Sequence, residues 1–77
     1  MPLITVKMWP GRDEEKKKAA ALAIMKAASE ALGTREEAFT VILEEIPTEE
    51  WQEKVVTPDV EPRKHLVYIE RGVLVKN

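Results

Sequence analysis

The sequence predicts an α/β fold built on one short β-α-β unit, and three observations carry that prediction. Residues 2–9 alternate apolar and polar side chains, residues 13–32 hold an unbroken run dominated by good helix formers, and residues 39–46 return to a β-rich pattern. Strand, long crossover helix and strand in that order give two strands that run parallel. Two parallel strands leave open edges and one uncovered face. The sheet is therefore expected to be completed by another copy of the chain.

In the first strand, MPLITVKMW, Ile4, Val6 and Met8 point one way while Leu3, Thr5, Lys7 and Trp9 point the other. Pro10-Gly11 ends it, because Pro cannot donate to the ladder and Gly relaxes the turn. Asp13 is placed to cap a helix, and Glu14 and Glu15 put negative charge at its positive end. No Gly or Pro interrupts the residues from Glu14 to Leu32, and Gly33 supplies the stop. Ala21, Ile24, Met25, Ala28, Ala31 and Leu32 recur at helical spacing and form an apolar stripe. The run Lys16-Lys17-Lys18 is read as a solvated face rather than an anion site.

Thr34 and Glu37 have the spacing of a capping box, so one helical turn leads into the second strand, FTVILEEI, which Pro47 closes. TEEWQEKVV then predicts a short helix with Thr48 as its cap, stopped by Pro58 and Pro62. The tail, HLVYIERGVLVKN, is either a terminal hairpin around Glu70-Arg71-Gly72 or a strand that reaches a neighbouring subunit. No repeat, low-complexity stretch or linker divides residues 1–77, which are read as a single domain.

Composition narrows the function. Twelve Lys+Arg against 14 Asp+Glu give a net charge of −2, which argues against a general binder of nucleic-acid backbones. The absence of Cys removes disulfides, thiolate nucleophiles and thiolate metal sites, and fits a reducing compartment. No apolar run approaches the ~20 residues of a membrane span, and no signal peptide is recognisable, so a cytoplasmic protein without a membrane partner is expected. A chain this short buries only roughly 60% of its unfolded surface, which makes its core marginal without association.

Pro2 is the informative position. A small residue after the initiator Met permits Met removal, and the processed chain would begin with a secondary amine. Free α-amino groups titrate at about 7.7–8.0, and desolvation near a cation lowers that value, so such an amine can serve as a base at neutral pH. Arg12 sits where the strand's exit loop meets the helix N-terminus, a place that favours an anionic group. Trp51 could wall a pocket and exclude water. His65 is the single His, so no His-based metal cage forms within one chain, and with Arg63 and Lys64 it reads as a solvated basic patch. The pairs Glu36-Glu37, Glu44-Glu45 and Glu49-Glu50 are adjacent residues that do not face each other, so paired acid/base catalysis is not implied. The three glycines are too widely spaced for a phosphate-cradling loop.

MPLITVKMWPGR, the DEEKKK helix, FTVILEEIP and Trp51 together resemble the 4-oxalocrotonate tautomerase family over residues 2 to about 51. The resemblance implies a short β-α-β subunit that pairs with others and enol–keto conversion of 2-keto acids with the amino-terminal proline as base. It implies no metal and no organic cofactor. Carried over residue by residue, Pro2 matches the catalytic proline, Arg12 the arginine that holds a substrate carboxylate, and Trp51 the pocket aromatic. Thr40 stands where the best-known members carry a second arginine, which puts a preference for dicarboxylates in doubt; Arg63, Lys64 or Arg71 are the candidates to replace its charge. The tail is longer than in the hexamer-forming members and looks more like that of the dimer-forming branch that acts on phenylpyruvate-like monocarboxylates. A homodimer is expected, with a hexamer as the alternative. Two other outcomes stay open: a superfamily hydratase, dehalogenase or decarboxylase using a protonated proline, and a non-catalytic homo-oligomeric module.

Overall fold

A computed structural model describes residues 1–76. The chain forms two units, Met1–Ile46 and Pro47–Asn77.

In the first unit, strand β1 (Leu3–Met8) is followed by helix α1 (Glu14–Leu32) and strand β2 (Thr40–Glu45). β1 and β2 pair in parallel from Leu3 opposite Thr40 to Met8 opposite Glu45. The period of two works as the sequence requires: Ile4, Val6, Val41 and Leu43 are half-buried, while Leu3, Thr5, Thr40 and Ile42 are exposed. α1 packs against β2, so one face of the sheet is covered. On the other, Leu3 is 63% and Ile42 45% exposed. The parallel β-α-β arrangement with its long helix is thus the one expected from sequence.

Both ends of α1 are set by local chemistry. The Asp13 carboxylate accepts the Lys16 amide at 2.8 Å, filling one of the donors that a first turn leaves open. Gly33 adopts φ 65° and ψ 35°, and its N–H and that of Thr34 both return to the Ser29 carbonyl. The apolar stripe lies slightly N-terminal to its predicted position. Lys17 and Ala20 are half-buried with Ala21, Ile24, Met25 and Ala28, whereas Ala31 and Leu32 are exposed. A two-stranded sheet of six residues is too short to cover the last turn of a 19-residue helix.

Two expected caps are not used. The turn before β2 spans Glu36–Ala38 and begins after Arg35, without a side-chain cap from Thr34. The turn at Thr48–Glu50 likewise has no side-chain cap; Thr48 lies inside it, with its hydroxyl 3.3 Å from the Glu49 carboxylate.

In the second unit the helical path runs past Pro58 and kinks just after Pro62, where Arg63 (φ −120°, ψ 28°) leaves helical geometry. Gln52–Val60 winds as a π-helix containing Pro58, with the Glu61 N–H reaching back five residues to Val56, and a 3₁₀ stretch follows over Glu61–Leu66. A proline ring breaks an α-helix by meeting the carbonyl four residues back; a wider winding no longer sets that carbonyl against it. Pro62 falls in the first turn of its stretch, where a missing N–H leaves nothing unmade. The tail is a hairpin, β3 (Ile69–Glu70) against β4 (Val73–Leu74), antiparallel. Arg71 (φ 51°) and Gly72 (φ 78°) make the left-handed turn that matches strand twist.

Among the described residues only Ile46 and Val55 fall below a tenth exposed. Leu66, Tyr68, Ile69, Val73, Leu74 and Val75 are each 48–70% exposed. Among the described residues no helix is long and apolar enough to cross a membrane.

Candidate functional site

Pro2 stands at the head of β1. Its carbonyl accepts the Thr40 N–H at 3.2 Å, which extends the ladder by one bond beyond the paired strands. Met1, ahead of it, is fully exposed. Pro2 is therefore tied to the sheet through its carbonyl side. Thr40, which lies opposite Leu3 in the sheet, brings a neutral hydroxyl to this end of the strand.

Arg12 lies at the other end of β1, on the loop into α1. It is exposed, and its guanidinium donates to the Trp9 carbonyl at 3.3 Å. That bond uses one of five N–H donors and leaves a fork for a carboxylate. At about 3.3 Å per strand residue, the six residues of β1 hold Pro2 and Arg12 roughly 20 Å apart. One chain does not bring them together on one small acid.

Trp51 belongs to the second unit. It closes the Thr48–Glu50 turn by donating its N–H to the Thr48 carbonyl, and it is half-buried. Its backbone is helical (φ −58°, ψ −46°), and the π-helix begins at the next residue. His65, Arg63 and Lys64 are exposed, with the Lys64 ammonium 3.3 Å from the Glu70 carboxylate. Among the described residues no three His, Cys, Asp or Glu side chains gather as a metal site.

A second group of charges was not legible. Lys17, in the middle of the run read as solvated, has a side chain only 20% exposed and lies 3.1 Å from Glu14 and 3.2 Å from Glu45. Hydrogen bonding to Glu14 and then to Glu45 holds its ammonium above the ordinary lysine value. The Glu14–Lys17 spacing was visible as a helical i,i+3 pair. Glu45, 28 residues downstream, had no sequence signal. Lys16 and Lys18 are exposed, as expected of a solvated face.

A family model described as tautomerase enzyme matches residues 2–60. A probable tautomerase of Bacillus cereus is 50% identical over 46 residues, which are 60% of this chain and 75% of that protein. A probable tautomerase of Xylella fastidiosa is 33% identical over 61 residues, covering 79% of this chain and 74% of that one. Among solved structures, a 4-oxalocrotonate tautomerase homologue of the tomaymycin biosynthetic pathway superposes with a TM-score of 0.63 at 36% identity, covering 86% of this chain and 97% of that one. The apo form of an unfused 4-OT superposes at 0.61 with 28% identity, over 64% and 80% of the two chains.

Proposed function

The chain belongs to the tautomerase family, and on that premise we propose that it interconverts the enol and keto forms of a 2-keto acid with the Pro2 nitrogen as general base. The observation that carries the reading is the placement of Pro2. With its carbonyl held by Thr40 and the exposed Met1 ahead of it, a chain processed at Met1 would present a secondary amine at a fixed point and lose no bond of the ladder.

Unprotonated, that amine removes a proton from the enol hydroxyl or from the carbon beside the ketone, and returns it elsewhere on the conjugated system. Arg12 holds the carboxylate on its guanidinium fork, and Trp51 shields the amine from water so that its neutral form persists. Because Pro2 and Arg12 lie at opposite ends of one strand, the working site takes its proline from one copy and its arginine from another, which makes the protein a homo-oligomer. We assign a dimer, with a hexamer as the alternative, and a single-carboxylate substrate, since Thr40 supplies no second charge. Neither a cofactor nor a metal enters the reaction. The compartment we assign is the cytoplasm.

The test is ketonisation of enol phenylpyruvate or 2-hydroxymuconate, followed by ultraviolet absorbance, on protein whose intact mass confirms loss of Met1. Pro2→Ala should lower kcat/KM by about 10²-fold or more, the scale of positioned proton transfer. Unchanged turnover would overturn the assignment. A base must be unprotonated, so activity should fall as pH drops through the amine's titration; the reverse slope would indicate an acid. A chain that keeps Met1 has no amine at residue 2 and would leave a self-associating module.

A further inference from the structure

The loop that carries Arg12 begins after Met8 and ends at Asp13, the cap of α1. Two carboxylates stand at its two ends. Glu45 is opposite Met8 in the sheet, and Glu14 is the first residue of the helix, two positions after Arg12. Both are bound by one cation, the Lys17 ammonium, at 3.2 and 3.1 Å, while Arg12 rests on a neutral carbonyl. Lys17 is anchored there by its backbone as well, its N–H donating to the Asp13 carbonyl at 3.1 Å.

We propose that Lys17 is a positioning residue for substrate binding: by holding Glu14 and Glu45 on its ammonium, it keeps those carboxylates off Arg12 and leaves the guanidinium to an anionic substrate. The inference rests on the role given to Arg12 above. Without Lys17, the two carboxylates at the ends of the loop would lose their shared cation, and Arg12, on that same loop, would be available to them. An incoming carboxylate would then compete with carboxylates that never leave. The cost falls on binding, and the proton transfer at Pro2 is untouched.

Steady-state kinetics of ketonisation tests this. Lys17→Met should raise KM about two- to fivefold, the scale of an exposed ion pair, with kcat within about twofold of the parent. Lys17→Arg should return KM to the parent value, because it restores the charge. In a Glu14→Gln/Glu45→Gln background, Lys17→Met should raise KM no further. A KM unmoved by Lys17→Met, or raised equally with the carboxylates gone, overturns the proposal; if Lys17→Met does not fold, Lys17→Gln in both backgrounds gives the same comparison. Arg12→Ala separates the two readings. If it raises KM and Lys17→Met does not, only the role of Lys17 fails; if it leaves KM unchanged, the role of Arg12 fails and takes this one with it.

Discussion

The two units of this chain use their residues in opposite ways. In Met1–Ile46, six-residue strands pair along their whole length, the helix is capped by Asp13 and ended by Gly33, and apolar side chains alternate toward the helix. From Pro47 onward, no helical segment has a side-chain cap, the two strands have two residues each, and six large apolar side chains between Leu66 and Val75 are exposed. A two-residue hairpin is not stable by itself in water. The first unit carries local instructions that agree with one another. The second has few such instructions, and both leave apolar surface open, the first at Leu3 and Ile42 and the second along its tail.

The largest effect that tests this contrast is a pair of truncations. Ile46→Ala removes a side chain only 6% exposed and should cost about 2–5 kcal/mol in urea unfolding. Leu74→Ala, at 70% exposure, should cost no more than about 0.5 kcal/mol if nothing covers it. If the two costs match, the hairpin is buried in the assembled protein, and the contrast belongs to the single chain only. Sedimentation of Leu74→Ala would then show a weakened oligomer.

Backbone and cap effects come next. A Cβ on Gly33 would meet nothing within 4 Å, so Gly33→Ala should cost about 1 kcal/mol through its left-handed backbone alone. Asp13→Ala should cost about as much, by loss of the bond to Lys16. Gly72→Ala, at φ 78° in the short hairpin, should leave the unfolding midpoint of the first unit unchanged. A large shift would join the hairpin to the cooperative core.

The smallest effect is electrostatic. The Lys17 pKa is raised in the folded chain, so its contribution to stability is complete below the ordinary lysine value of about 10.4 and fades as pH rises through the higher folded value. The difference in unfolding midpoint between parent and Lys17→Met should therefore be constant at neutral pH and shrink in alkali.

What sequence reading captured follows the same division. Alternation in β1, the Asp13 cap and the Gly33 stop are local signals, and each is realised within a few residues of its cause. Pro2 and Arg12 were legible as chemical types, but the length of β1 places them apart, and the residue types alone say nothing of that separation. The Lys17–Glu45 pair was hidden because a run of three lysines looks uniform until a distant carboxylate selects one. The caps expected at Thr34 and Thr48 failed because 3₁₀ turns bond over shorter reach than the α-helix those patterns describe. Pro58 misled for a related reason: its veto applies to α geometry, and the chain took a wider one.

The bond from Thr40 to the Pro2 carbonyl has a practical corollary for anyone purifying this protein. An affinity tag fused ahead of Met1 would leave that bond and the strand intact, so circular dichroism would certify a healthy preparation. The imino nitrogen, however, would stay acylated, and if Pro2 is the base proposed above the preparation would be well folded and inert. A carboxy-terminal tag, by contrast, would burden the hairpin and leave that nitrogen alone.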